Sequence, residues 1–217
     1  MLGSKKLLCL FVFILVVVFP VPGYSELIDE LNESESDTPV AVIFSAPITL
    51  SDITPDEQAI TQMRAQAQRN FSALLSQARM TMLTNKIIEA VSLDYQKKSG
   101  IVIDPVLVDK FKQKFSTDAN TDSSAQIDLN KVAIKQVRQW QIEKQLYADF
   151  GGTVIFQQTN PQMPIGAYKA LLKQYHSEGK FTILLPSVES LFWQAFEPPY
   201  RFEIAPGNVD YSHPWWL

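Results

Sequence analysis

The chain has 217 residues, of which 46 % are hydrophobic and 19 % charged, and this composition predicts a folded core rather than a disordered protein. Two histidines and one cysteine exclude a cysteine-rich zinc module and a disulfide framework. The formal net charge of -4 gives no electrostatic basis for binding nucleic acid.

The first 25 residues have the pattern of a secretory signal. Lys5 and Lys6 precede an apolar run over 7–19, and Gly23-Tyr24-Ser25 supplies small residues for cleavage. The run is shorter than the roughly 20 residues that a membrane span needs. We therefore predict a cleaved signal, a mature chain that begins near Glu26, a periplasmic location and no stable membrane insertion after cleavage. Because Cys9 leaves with the signal, the mature chain is expected to carry no thiol.

A flexible leader, a strand and a long helical region are predicted next. Residues 26–38 are acidic and polar, which is typical of a flexible leader. Residues 40–44 are apolar and rich in β-branched side chains, which predicts a strand. Thr54, as a cap, and Pro55 begin a helical region that ends at Gly100, as one long helix or as two with a bend.

The rest of the chain alternates helices with short strands. Helices are predicted over about 106–115, 128–150, 165–177 and 188–196, and strands over 153–157 and 181–185. We expect the three strands to form one small sheet. The predicted fold class is α+β and predominantly α-helical, with long helices and a small sheet of about three strands. Residues 39–150 are expected to form a helical domain, and residues 151–217 a small α/β annex with an aromatic tail.

Two segments on either side of the long helical region carry a family resemblance. The segment Ala46-Pro47-Ile48-Thr49-Leu50-Ser51-Asp52 follows a strand, and Lys97-Lys98-Ser99-Gly100-Ile101-Val102-Ile103-Asp104 leads into a short helix. This order resembles the N-terminal chaperone domain of the SurA family of periplasmic foldases, over about residues 40–115, with 128–150 as a continuation. The family often has Asn-Gly before the Pro-Ile-Thr segment, where this chain has Phe44-Ser45-Ala46.

The resemblance implies a chaperone rather than an isomerase. SurA-like proteins commonly carry parvulin-type prolyl isomerase domains, and no segment of this chain resembles one. The expected partners are unfolded or incompletely folded exported polypeptides, including outer-membrane proteins.

No catalytic residue, cofactor or metal site is predicted. The chain has no nucleophile elbow, no zinc-binding motif and no phosphate loop. His176 is expected to lie near the end of a helix, where a cation favours the helix dipole, and His213 has no nearby cysteine or histidine with which to bind a metal.

Two sets of apolar side chains are the candidate client-binding residues. One set keeps helical spacing in the long helical region, and the other ends the aromatic tail: Met63, Phe71, Leu74 and Met82, with Trp215 and Trp216. The alternative for the helical set is burial in the domain's own core. The alternative for the tail is a strap that covers the sheet, and Phe192 and Phe196 are expected to face one way within it. A non-catalytic subunit that docks on one fixed envelope partner through the tail is the alternative function.

Overall fold

The computed structural model describes residues 30–31, 35–67, 70–119 and 128–217. The predicted signal over 1–25, and parts of the leader and of the polar loop after residue 119, lie outside the described residues. In chain order the elements are β1 (Pro39–Ile43), β2 (Ala46–Thr49), α1 (Glu57–Ala67), α2 (Phe71–Lys98), α3 (Pro105–Ala119), α4 (Leu129–Phe150), β3 (Val154–Gln157), β4 (Asn160–Met163), α5 (Ile165–Ser177), β5 (Phe181–Ile183), α6 (Pro186–Gln194) and β6 (Glu203–Ile204). The fold is α+β and predominantly helical, as predicted.

Contacts divide the chain into two compact units that interleave along the sequence. The first unit comprises the described residues between 30 and 93 together with Lys169–Pro199, and the second comprises those between 94 and 168 together with Tyr200–Leu217. The two units group residues by contact, so each contains stretches on both sides of residue 150, the domain boundary that the sequence predicts.

The strands form two antiparallel sheets of three strands each. The order is β2-β1-β5 in the first unit and β4-β3-β6 in the second. The expectation that 153–157 joins the other two predicted strands is wrong, because β3 pairs with β4 and β6 instead. Neither partner carries a strand signal: β4 contains Pro161, a residue type that is disfavoured in strands, and β6 has only two residues.

The β1–β2 hairpin closes through a two-residue turn in a left-handed backbone conformation. Phe44 has a φ of 47° and Ser45 a φ of 69°. Positive φ at both positions is what a type I′ turn requires, and Asn-Gly is the sequence that adopts it most readily. The Phe44 ring makes an edge contact with Tyr175, at 6.3 Å between centroids. Although the sequence at the turn is Phe44-Ser45 rather than Asn-Gly, the backbone keeps the conformation that an Asn-Gly turn adopts.

The long helical region is two helices, α1 and α2, with residues 68–69 between them outside the described residues. Asp56 caps α1, since its Oδ1 accepts a hydrogen bond from the Ala59 N–H at 2.8 Å. Thr54, which we predicted as the cap, instead donates its hydroxyl to the Leu50 carbonyl at 2.7 Å.

Local sequence signals set the starts of α3 and α4 and the end of α2, close to the predicted positions, whereas α3 runs on to Ala119, past its predicted end at about 115. Asp104 Oδ1 accepts from the Val106 N–H at 2.8 Å, and Asp128 Oδ1 accepts from the Lys131 N–H at 3.1 Å. Gly100 follows α2 with a φ of +65°, a conformation that glycine adopts without strain.

The first unit buries apolar side chains from its strands and helices. They are Val40, Ala41 and Ile43 of β1, Leu83, Ile87 and Val91 of α2, Leu171, Leu172 and Tyr175 of α5, and Phe181, Phe192 and Phe196 further on. Phe192 and Phe196, predicted to face one way, are both fully buried with ring centroids 5.4 Å apart. Leu31 of the leader is also buried, and its carbonyl accepts a hydrogen bond from Arg79 Nη1 at 2.6 Å.

The second unit has a core where α3, α4 and the C-terminal tail meet. Its buried members are Val108 and Phe111 of α3, Ala133 and Val137 of α4, and Trp216 of the tail. Among the described residues, no helix has both the length and the apolar character that crossing a membrane requires.

Candidate functional site

The four helical candidate residues lie in the first unit and are neither buried nor fully exposed. Met63 is on α1, and Phe71, Leu74 and Met82 are on α2. We call these four side chains the apolar stripe. None of the residues of α1 is buried, and Ser76 is the buried residue between 71 and 82. The stripe therefore keeps part of its apolar surface in contact with solvent.

Burial changes abruptly further along α2. Leu83, Ile87 and Val91 are fully buried, directly after the last residue of the stripe. The stretch of α2 from Leu83 to Val91 thus supplies the unit's own core, whereas the stripe residues and α1 are not fully buried. The four stripe residues are therefore only partly buried, and the fully buried positions of α2 are other residues.

A cation–π contact joins α1 to the start of α2. The Arg64 guanidinium carbon lies 4.9 Å from the centre of the Phe71 ring. Such a contact contributes about 0.5–1 kcal/mol at an exposed site. It also covers one face of Phe71 with a side chain that can move aside, because Arg64 itself is exposed.

The two tail tryptophans occupy different environments in the second unit. Trp216 is 2 % exposed and packs edge to face against Phe111 and Trp140, with centroids at 5.3 and 6.3 Å. Trp215 is 45 % exposed and contacts the Phe115 ring at 6.2 Å. Trp216 therefore fastens the tail onto α3 and α4, and Trp215 presents indole surface to solvent.

Neither histidine is part of a metal site in the described residues, where no group of three potential ligands occurs. His176 Nε2 lies 3.3 Å from a Glu189 carboxylate oxygen, and its ring packs at a tilt against Phe181 and edge to face against Trp193. His213 Nδ1 is 2.9 Å from the Ser212 hydroxyl.

The second unit also contains a buried acid that the sequence analysis did not single out. Glu143 of α4 is 2 % exposed, and one carboxylate oxygen, Oε1, accepts three hydrogen bonds. The donors are Gln139 Nε2 at 3.0 Å, Asn160 Nδ2 at 2.7 Å and the Tyr168 hydroxyl at 3.1 Å. We call these four residues the Glu143 cluster.

The position of Glu143 among the core positions of α4 could have indicated a buried acid from the sequence. Val137, Ile142 and Leu146 are buried on the same helix, and Glu143 falls three residues before Leu146 on the buried side. A charged residue in register with core positions indicates a buried acid, but the polar partners on β4 and α5 only become visible in the fold.

Burial is the largest influence on the pKa of Glu143. It raises the pKa of Glu143 from 4.5 to about 7, against the opposing hydrogen bonds from Gln139, Tyr168 and Asn160. Burial likewise raises the pKa of the Tyr211 phenol well above its usual range, and the Glu143 carboxylate and Tyr147 add to that rise. The Tyr211 hydroxyl donates to the Gln162 carbonyl at 2.6 Å, which keeps it satisfied in its protonated form.

Comparisons of the chain with protein-family models, with curated proteins and with solved structures gave no match. The SurA-like resemblance therefore stays a hypothesis that rests on the sequence motifs.

Proposed function

We propose that the protein is a periplasmic chaperone-type binding protein for unfolded or incompletely folded exported polypeptides, including outer-membrane proteins, without isomerase activity. The incomplete burial of the apolar stripe is the observation that carries this proposal. When a client covers the partly exposed Met, Phe and Leu side chains, each Å² of apolar surface that is buried contributes about 25 cal/mol to the free energy of binding.

The chemistry of the stripe suits varied clients. Methionine is unbranched and polarizable, so its side chain adapts to partners of different shape. The sequence from 58 to 88 contains four cations and no acid, so a client segment that binds the stripe meets positive but no negative charge there. These properties favour binding with low sequence specificity.

The turn and cap geometry supports the family resemblance on which the location and client class rest. The Phe44-Ser45 turn has the φ values that Asn-Gly turns adopt, and Asp104 caps α3 within the second matching segment. Neither feature identifies a client, and both are independent of the stripe.

Aggregation assays test the proposal. We expect the mature protein to suppress aggregation of several unrelated denatured proteins, and the combined changes Met63→Ser and Leu74→Ser to abolish most of this effect. Leu184→Ser is the matched control, because Leu184 is an exposed apolar residue of the same unit outside the stripe. All variants are to be checked for unchanged melting temperature. Full suppression by the stripe variant would contradict the proposal.

A peptide isomerisation assay tests the absence of isomerase activity. No acceleration is expected with the purified mature chain. Acceleration that a point change in this chain abolishes would overturn that part of the proposal.

The exposure of Trp215 favours a second candidate, a docking subunit with one fixed envelope partner. Trp215 and Leu217 are 45 % and 52 % exposed at the end of the tail, and an exposed indole is a common interface anchor. A pull-down from periplasmic extract separates the candidates. Capture of one partner, lost in Trp215→Ala, supports docking, whereas capture of many unrelated proteins that depends on the stripe supports the chaperone.

A further inference from the structure

The acidic leader contacts two helices of the first unit through its described residues. Leu31 is fully buried, although the sequence predicts a flexible segment there. Its carbonyl accepts a hydrogen bond from Arg79 Nη1 of α2 at 2.6 Å, and the Glu30 carboxylate accepts one from the Ser187 hydroxyl of α6. We call the surface around Leu31 that includes Arg79 and Ser187 the leader site.

Several of the leader's hydrogen bonds use its main chain. Besides the Leu31 carbonyl, the Thr38 carbonyl accepts from the Leu50 N–H at 3.0 Å, and the Ser36 carbonyl accepts from the Ser51 N–H at 2.9 Å. Main-chain carbonyls are present in every polypeptide, so the same donors can bind another segment in place of the leader.

The charges of the leader and of the helical region are complementary. Residues 26–38 contain six acids and no cation, whereas residues 58–88 contain four cations and no acid. Arg79 is one of these cations and bonds to the leader directly. Opposite charge on the two segments favours their association over that of a basic segment with the same helices.

The leader site adjoins the apolar stripe on α2. Arg79 precedes Met82, a stripe residue, by three positions, and residues three apart are neighbours on a helix surface. Arg79 Nε also donates to the Thr54 hydroxyl at 3.1 Å, which helps to orient the guanidinium towards the leader. A segment bound at the leader site therefore lies next to the Met82 end of the stripe.

We propose that the leader site is a peptide-binding site for acidic segments that carry a leucine or a similar apolar side chain, and that the chain's own leader occupies it until a client displaces it. The leader is then an internal competitor of the client. The role of clients rests on the proposed chaperone function, whereas occupancy of the site by the leader can be measured without any client.

Binding of a labelled synthetic peptide of residues 26–38 to the full mature chain, followed by fluorescence anisotropy, tests the proposal. Leu31→Ser in the chain weakens the internal competitor, so we expect this variant to bind the peptide about 10- to 100-fold more tightly than wild type does. Leu184→Ser, a change at an exposed leucine of the same unit, should behave as wild type. Equal affinity of wild type and Leu31→Ser, or no binding to either, would overturn the proposal.

A milder variant keeps the test decisive if Leu31→Ser does not fold. Glu30→Ala removes the carboxylate that accepts from Ser187 and leaves Leu31 in place. We expect it to bind the same peptide about 3- to 10-fold more tightly than wild type does, because one hydrogen bond of the competing leader is lost. Unchanged affinity in folded Glu30→Ala would then overturn the proposal.

Aggregation assays separate an internal competitor from a leader that only supports the fold. The leader variants should suppress aggregation of denatured acidic proteins at lower concentration than wild type does. Weaker suppression by folded variants would identify a purely structural leader and overturn the proposal. Absence of suppression by every chain, wild type included, would contradict the proposed chaperone function, while the peptide affinities would still decide whether the leader occupies a peptide-binding site.

Discussion

Ser45 shows how one residue can be conformationally strained in an otherwise favourable hairpin. Its φ of 69° lies in the left-handed region, where an L-residue is disfavoured by about 1–2 kcal/mol. We expect Ser45→Gly to raise the free energy of unfolding by about 1 kcal/mol, measured by urea denaturation. Ser45→Ala keeps the side-chain clash and should leave stability within about 0.5 kcal/mol. Equal stability of the glycine and alanine variants would argue against strain at this position.

The adjacent tryptophans of the tail should respond differently to truncation. Trp216→Ala removes a buried indole from between Phe111 and Trp140, and we expect a loss of about 3–5 kcal/mol in unfolding free energy. Trp215→Ala should cost about 1 kcal/mol or less, because its ring is half exposed. Similar losses in the two variants, measured by urea denaturation, would contradict this assignment.

A phenylalanine at position 216 refines that comparison. The Trp216 indole N–H is buried without a hydrogen-bond partner among the described residues. Trp216→Phe removes this unsatisfied donor while keeping an aromatic ring. Its cost should therefore be clearly smaller than that of Trp216→Ala.

At the scale of elements, α1 should be the least protected helix of the first unit. It has 11 residues and none of them is buried, and an isolated helix of that length is marginal in water. We expect its amides to exchange on the order of 100-fold faster than those around Leu83, Ile87 and Val91, which are fully buried. Comparable protection in both segments would show that α1 packs more firmly than its side-chain exposure indicates.

Elements were predictable from sequence where a local signal determines them. Asp104 and Asp128 bond to the backbone two and three residues on, and Gly100 needs only its own backbone freedom, so these helix ends follow from a few adjacent residues. The division into two sheets was not predictable, because β6 gains its strand conformation by pairing with β3, and neither its length nor its composition indicates a strand.

The same distinction applies to the candidate site. The spacing of the apolar stripe was visible in the sequence, but its partial exposure depends on which stretch of α2 packs against other elements. Trp215 and Trp216 are indistinguishable as neighbours in sequence, and only the position of α3 and α4 separates a buried ring from an exposed one. The Glu143 cluster was not predictable, because only the positions of β4 and α5 in the fold bring Asn160 and Tyr168 to Glu143.

At the scale of the whole molecule, the export prediction concerns the length of the mature chain. The signal pattern over 1–25 predicts that the exported protein begins at or near Glu26. N-terminal sequencing or intact-mass measurement of the exported protein checks this. An intact Met1 on a membrane-bound mature form would show an uncleaved anchor instead.

Because the two units interleave along the sequence, neither can fold completely from the N-terminal part of the chain alone. Each unit combines two segments that are separated along the sequence, and β1 finds its partner β5 only after Phe181–Ile183 has emerged. A chain that crosses a membrane with its N-terminus first can therefore complete neither unit until its last fifth has arrived. Contacts so distant in sequence slow folding, because the intervening loop must close first. A chain exported as its signal pattern predicts is until then itself an incompletely folded polypeptide, exposed to the same hazards of aggregation and proteolysis as its proposed clients.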